Sequence, residues 1–454
     1  MKNISQLQEI EVCLIGLGPA GLGFLWSFLK KGKLNDLMCI EAGPRIEQRN
    51  CPVLNHEYCN LKATCHVIGG FGGSSLLAGG KLSMYPAGTG LNNIVLDEDY
   101  VVKKIEESKN VYLENISLKY LSVKEDDKED ARNYYGSLGF EYKYYQSALY
   151  TQEEFFEAHL KLQNQFLENG ANIWFDTTVV SIERSEDKYL LTFQKNGVFY
   201  QILSKKVVMA MGKLGNKFLI NLTKSLKLPC TTNKLEIGLR IEFPKKAFDE
   251  IDKYHHDLKL KINSCKTFCI SKGGKVVLYY KDGLLYTEGY DNYSKPTEFT
   301  NLGFLCKVEN DDINIEELLK GIEEKRKKEK MVNPIRQTFI DFLNGIVSSN
   351  FPFNSSIVNW KAGDINDYLP EFLSAELKYS LEKFVTTFIS PEFIKDVSVF
   401  FPEINYGGYN YSLSNSFRSI PNFYIIGEGT GRFIGILQSF ASGLICSERI
   451  IQDG

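Results

Sequence analysis

The chain carries no excess of basic residues. Its 53 Lys and Arg stand against 56 Asp and Glu, a formal net charge of −3. No general field therefore draws nucleic acid or an anionic membrane to it, and neither partner is expected. The ten cysteines are scattered through 454 residues, unlike the dense framework of a small secreted domain. Cys51, Cys59 and Cys65, with His56 among them and His66 next to the last, contain no C-x2-C pair, the spacing that marks zinc and iron–sulfur sites. We expect no metal there. A redox thiol pair near a cofactor is the alternative to plain buried side chains. The opening "MKNISQLQEIE" lacks a basic region followed by an apolar block, so no signal peptide and a cytoplasmic location are expected. No repeat and no low-complexity tract is present. Nor is there an unbroken apolar span. Val12 to Leu29 is uncharged, but five Gly or Pro residues interrupt it, which reads as strand, turn and buried helix.

What is there suits a large globular core. Hydrophobic residues make up 43% and charged ones 24%, and the length suits two or three domains or one α/β domain with an insertion. The mixed-sign runs Lys124–Asp130 and Glu323–Lys330 read as solvated surface. Glu9–Ile15 reads as a strand, followed by a helix to Lys31. Leu37–Gly43 reads as a second strand reaching Glu41, Thr151–Gly170 as an amphipathic helix, and Val207–Met211 as a buried strand. Leu235–Glu309 is mostly β and Ile313–Ser390 mostly helical. "NFYIIGEGTG" is strand then turn, and a last helix begins near Ile434.

Gly16-x-Gly18-x-x-Gly21 joins the first strand to the first helix. Its first glycine permits the tight turn, the second lets a pyrophosphate reach the backbone, and the third lets helix pack on strand. Pro19 and Ala20 open that helix, whose N-terminus favours phosphate. Glu41, beside Ala42, falls about twenty residues on, where a carboxylate meets ribose hydroxyls. Only one such fingerprint exists, so NAD(P)H would visit as a transient reductant without a Rossmann domain of its own. "HVIGGFGGSSLLAGGKLS" at His66–Ser83 holds six glycines, an entropic cost that implies a close backbone approach to a ligand. In the closing "IIGEGTGRFIGIL", Gly427 and Glu428 end a strand, and Gly435 and Ile436 open a helix toward a second part of the same ligand. A flavin has use for that helix end near its pyrimidine edge.

The fingerprint, the middle "VVMAMGKLG" and the closing "IIGEGTG" together resemble the glutathione-reductase-like FAD fold. "C-x-L-x-A-x-C-x-V-I-G-G-F-G-G-S-S-x-x-x-G-G-K-L" at Cys59–Leu82 and "K-T-F-C" at Lys266–Cys269 resemble a bacterial family of uncharacterised FAD-dependent dehydrogenases. The likeness runs over nearly the whole chain. It differs from the family pattern around Gly79, in the spread of Cys51, Cys59 and Cys65, and at Ser271. The resemblance implies an α/β fold: a discontinuous FAD-binding Rossmann domain (1–100, 151–234 and 395–454), a small insertion (101–150), and a β-rich then helical α+β cap (235–394). It implies FAD as cofactor, with Gly72, Gly73, Ser74 and Ser75 along the pyrophosphate and ring edge, and Val179, Met211 and Gly212 as further contacts.

For chemistry, Lys81 would support negative charge on the reduced ring or pair with an acid. Arg240 shares a strand face with Glu242 and would bind an anionic substrate group or form a structural ion pair. Arg432 sits beside the closing turn and would approach flavin or substrate. Tyr279, Tyr280, Tyr286 and Tyr290 would wall a pocket or fill the core, His159 reads as structural, and His255 and His256 read as a surface turn. The expected function is hydride transfer between FAD and a small organic substrate, by dehydrogenation or double-bond reduction. A single-component monooxygenase and a non-catalytic FAD electron carrier are the alternatives, with a flavin-dependent RNA-modifying enzyme behind them. Substrate identity, direction and oligomeric state are not encoded legibly.

Overall fold

The computed structural model describes residues 7–453 except 32, 62–63, 78–79, 115, 121–126, 249–253, 292 and 309–312. Residues 1–6, the start of the Lys124–Asp130 run and Gly79 lie outside the described residues. The uncharged run folds as strand β1 (Gln8–Ile15), a glycine turn and helix α1 (Pro19–Lys30), which Pro19 opens. Proline suits that position because its missing N–H would have no helical partner. Next come β2 (Leu37–Ile40), α2 (Gln152–Glu168), β3 (Asn172–Trp174) and β4 (Val198–Met209). Thr151 caps α2, its hydroxyl accepting the Glu154 N–H. The cap follows as β5 (Glu236–Pro244), β6 (Cys265–Lys272), β7 (Lys275–Lys281), β8 (Leu284–Tyr290), β9 (Phe299–Lys307), α3 (Glu371–Phe388) and β10 (Ser398–Asn405). The chain closes with β11 (Phe423–Ile425) and α4 (Ile436–Asp453).

The first sheet has a parallel core β11–β4–β1–β2–β3, with Arg418–Ile420 antiparallel outside β11 and the strands Lys188–Lys195 and Thr177–Ser185 added antiparallel on β4. Progress reverses at β1: β2 and β3 lie to one side, β4 and β11 to the other. In such sheets the crevice beyond the strand C-termini at the reversal is where ligands bind. Helices α1 and α4 pack together through glycine. A Cβ on Gly23 would lie 2.0 Å from the Phe440 carbonyl oxygen, and one on Gly443 2.0 Å from that of Ala20. Phe24, Leu25, Phe440 and Leu444 fill the core around that crossing.

The cap sheet runs β10–β5–β9–β6, all antiparallel, with Ile335–Thr338 outside β10, and Leu260–Ile262 then Glu141–Tyr142 outside β6. Strands β7 and β8 form a separate hairpin. Along β5, Ile237, Leu239, Ile241 and Phe243 face a core closed by Leu377, Leu381 and Phe384 of α3. Strand alternation puts Arg240 and Glu242 on the opposite face. A bulge interrupts β6 between Phe268 and Ser271, and Cys269 there takes a left-handed φ of 48°. Bulges re-aim side chains.

The stretch 313–390 is less helical than its pattern suggests. Helices cover Ile315–Lys328, Phe339–Asn344 and α3, but Ile335–Thr338 is a strand. All four of its residues are buried, and pairing with β10 overrides local preference. The last helix begins at Ile436 rather than near Ile434, because Gly435 takes φ +141°. No helix among the described residues is long and apolar enough to cross a membrane.

Candidate functional site

A cavity of about 520 Å³ lies between the C-terminal ends of β1, β2 and β4 and the cap strands β6, β8, β9 and β10. Its floor is the fingerprint. Gly21 lies where a Cβ would come 2.0 Å from the Gly16 carbonyl oxygen, so strand and helix meet backbone to backbone. Gly18 is different: a Cβ there would meet only the Gly73 Cα, at 3.7 Å. The backbone at Gly18 is therefore open to a ligand. Gly73, at φ +59°, rests on it so closely that its own Cβ would lie 2.8 Å from the Gly18 Cα. The two glycine-rich stretches, fifty residues apart in number, form one surface.

Glu41 ties that surface together. Its Oε2 accepts the Leu17 N–H at 2.7 Å, and its Oε1 accepts those of Gly43 and Gly70, both at 2.9 Å. Oε2 keeps a further lone pair for a ligand hydroxyl. From the other end of the chain, Glu428, Gly435, Ile436 and Ser439 line the same cavity. Burial raises the Glu428 carboxyl above its usual range, opposed by the charge of Lys213.

Most of the residues expected from sequence meet here: Gly16, Gly18, Pro19, Ala20, Glu41, Ala42, Gly73, Ser74, Ser75, Val179, Met211, Gly212, Glu428, Gly435 and Ile436 all line the cavity, as does Lys81. Ser74 makes no protein hydrogen bond among the described residues, whereas the Ser75 hydroxyl donates to the Gly72 carbonyl at 2.6 Å and so closes its own turn. Gly21, Gly72 and Gly427 do not line it. They are packing positions, where a Cβ would meet Gly16, His159 and Ala20 respectively. Arg432 turns away and donates to the Tyr411 carbonyl at 2.9 and 3.2 Å. Arg240 sits one layer behind the wall, fully buried.

That layer is the cap's contribution. Arg240 forms an ion pair with Glu403 and lies 3.5 Å from Glu288, and both carboxylates line the cavity. Lys213, on the turn after β4, pairs with Glu288 and so ties the nucleotide-binding sheet to the β7–β8 hairpin. Burial raises the Glu403 carboxyl, reinforced by the charge of Glu288 and opposed by Arg240. Burial would also raise Glu288, but Lys213 and Arg240 hold it below its usual range. Glu242 is occupied elsewhere, accepting from Ser356. Glu288, Glu403 and Lys213 were not among the expected site residues. Glu288 and Glu403 are signalled as the one charged residue of the strands "LLYTEGY" and "SVFFPEIN", whereas Lys213 carries no such signal.

Lys81 faces the cavity but is paired. Its Nζ lies 3.4 Å from Asp257 Oδ1 and donates to the Ile270 carbonyl. Burial would raise the Asp257 carboxyl, yet the charges of Lys81 and Lys259 hold it down to about 2. A carboxyl depressed on folding stabilises the fold above its ordinary 3.8. That contribution, about 2 kcal/mol, disappears as pH falls through the folded value. Urea midpoints should therefore drop between pH 4 and 2 in the parent, and a Asp257→Asn variant should lack that component.

His255 is buried rather than on a surface turn. Its Nδ1 accepts the Asp257 N–H at 2.9 Å, so its Nε2 carries the hydrogen and donates to the Tyr145 carbonyl at 3.0 Å. Tyr279 and Tyr286 are buried and stacked with centroids 5.4 Å apart, outside the cavity lining. Cys269 does line it, and burial raises its thiol. Cys265 is joined to Cys306 across β6 and β9. Cys51 and Cys65 pack in a small apolar cluster with Val53 and Val67, and burial pushes the Cys51 thiol up to about 11. Among the described residues, no group of three or more His, Cys, Asp or Glu is placed to hold a metal ion.

A parallel sheet with its glycine turn, carboxylate and closing helix all facing one cavity defines a dinucleotide-binding protein of Rossmann type. The family model described as "FAD-dependent protein, C-terminal domain-like" matches residues 234–400. FAD is the cofactor that the match supports, and the cavity fits it: open backbone at Gly18, a hydroxyl acceptor at Glu41 and a second helix end at Ile436. No curated protein matches the sequence. Among solved structures, a geranylgeranyl bacteriochlorophyll reductase-like protein from Thermoplasma acidophilum is 11% identical, with 98% of this chain and 80% of that one covered at TM-score 0.40. The p-nitrophenol 4-monooxygenase PnpA from Pseudomonas putida is 11% identical over 98% and 80%, at 0.39. A flavoprotein/dehydrogenase from Cytophaga hutchinsonii is 11% identical over 98% and 79%, also at 0.39.

Proposed function

We propose that this chain is an FAD-dependent oxidoreductase acting on a small organic substrate held between the nucleotide-binding sheet and the cap sheet. The observation that carries it is the continuity of one cavity from the Gly18 floor to the Glu288–Glu403 wall. Bound FAD would supply hydride chemistry. The chain's own residues do the rest. Gly18, Gly73 and the first turn of α1 receive the pyrophosphate, Glu41 the ribose, and Glu428 with the start of α4 the far part of the cofactor. Phe268, Leu305 and Ile404 exclude water from the cap side, and Lys81 stays charged beside Asp257. Dehydrogenation or double-bond reduction is the reaction class we favour, and the specific kinship with uncharacterised FAD-dependent dehydrogenases is part of this proposal.

The test is anaerobic titration of the purified yellow protein with NADH, NADPH and then unsaturated and hydroxylated small molecules. Bleaching of the flavin band, reversed by an organic acceptor without oxygen, is the expected result. A protein that purifies colourless and takes up no FAD sinks the reading. Oxygen consumed in step with NAD(P)H would instead point to a monooxygenase.

A further inference from the structure

We propose that the bulge in β6 is a seat for the Lys81 ammonium, which gives its one remaining hydrogen to the ring of FAD, and that Asp257 acts through Lys81 as a positioning residue. This deepens the reading above and rests on it for the cofactor alone. Two residues of β6, Cys269 and Ile270, stand where β9 supplies only Leu302. Their backbone groups are released from the ladder with β9. The Ile270 N–H donates to Asp257 Oδ1 at 2.9 Å, and the Ile270 carbonyl accepts from Lys81 Nζ. The Cys269 carbonyl accepts from Arg240 Nη1 at 3.2 Å. Cys269 also holds the left-handed φ of 48°. A residue other than glycine keeps such a φ only where its surroundings fix it, and these positions cluster at functional sites.

The count of hydrogens carries the proposal. An ammonium has three to give. One goes to the Ile270 carbonyl and one to Asp257 Oδ1, 3.4 Å away. Among the described residues no acceptor meets the third. The Lys81 side chain is only 4% exposed, and a buried donor without a protein acceptor is met by a ligand or by water. Asp257 is itself held at both ends. Its N–H donates to His255 Nδ1 at 2.9 Å, and its carbonyl accepts from the Tyr145 hydroxyl at 2.6 Å. Of Lys81, Asp257, Asp291, His255 and His256, Lys81 alone lines the cavity. A ligand therefore meets the ammonium and not the carboxylates behind it.

Position in the sheet says which part of FAD that is. Lys81 opens the strand Lys81–Ser83, and the Ser83 carbonyl accepts from Gln438 Nε2 in the first turn of α4 at 3.0 Å. The ammonium thus lies on the α4 side of the cavity. Strand β2, which leads to Glu41, and strand β11, which leads to α4, stand on opposite sides of β1. With ribose at Glu41 and pyrophosphate at Gly18, the ring comes to the α4 side. A charged donor there favours the electron-rich reduced ring over the oxidised one.

The midpoint potential of bound FAD tests this, measured by stepwise chemical reduction against a reference dye. In Lys81→Met the ratio of reduced to oxidised FAD at a given potential should fall about tenfold, the worth of a hydrogen bond to a charged group, which is about 30 mV for two electrons. An unchanged potential overturns the proposal. Asp257→Asn should move it the other way, because the ammonium loses the carboxylate that offsets its charge. A purely structural role would not give opposite signs. Should Lys81→Met fail to fold, Asp257→Asn decides alone: a raised potential supports the seat, and an equal or lowered one overturns it. Bound FAD that no nicotinamide or organic substrate reduces ends the functional reading and leaves this one standing. Bound FAD that substrates do reduce, but whose potential ignores both substitutions, does the reverse.

Discussion

Gly18→Val should give a folded protein that purifies without colour. Like Gly212, the position carries an added Cβ that clashes with nothing: the Gly73 Cα is the single atom within 4 Å, at 3.7 Å. The fold therefore tolerates the side chain. What the side chain occupies is the approach to the backbone that a pyrophosphate needs. Overpacking a close contact costs about 1–3 kcal/mol. At the upper end FAD affinity falls roughly a hundredfold, enough to lose the cofactor during purification. The visible flavin absorption reads the loss, and an unchanged melting temperature of the FAD-free protein shows that the fold survives. A variant that stays yellow would place the cofactor elsewhere.

Gly443→Val should behave in the opposite way and fail to fold. The α1–α4 crossing brings the Ala20 carbonyl within 2.0 Å of where the new Cβ would sit, with Phe24 N at 2.5 Å. Both are backbone atoms in buried helices and cannot rotate aside. The helices would have to separate and open the core around Phe24 and Phe440, a loss above about 3 kcal/mol. Soluble yield and the denaturant midpoint would both fall, with or without added FAD. Wild-type-like stability would mean that the two helices do not cross at glycine.

The nucleotide half of the site was legible because its signals are local. A glycine turn between an apolar strand and an apolar helix, with Glu41 at the proper distance, needs no tertiary knowledge. The closing Glu428–Ile436 segment was legible for the same reason. The cap half was not. Arg240 and Glu242 do share a strand face, yet one salt-bridges into the cavity wall and the other hydrogen-bonds to Ser356. Which neighbour each meets depends on β10 and on a segment more than a hundred residues away. Lys213 reads as a turn lysine until β8 brings Glu288 to it. Cys269 reaches the cavity through a bulge that sequence periodicity does not reveal. His255 looked like a surface residue because polar neighbours surround it in sequence, whereas Tyr145 and Asp257 cover it in space.

The contact of Gly73 with Gly18 has a consequence for how this protein could change. The Phe71 N–H donates to the Pro44 carbonyl at 3.1 Å, and Arg49 reaches across to the Phe71 carbonyl at 2.7 Å. Residues 45–70 are thus an excursion whose neck is tied shut, departing from and returning to the same spot. Lengthening a tethered excursion costs little free energy, because closure entropy grows only logarithmically with its length. New sequence could be grafted at its exposed outer rim, near Tyr58, while the phosphate floor beneath stays in register.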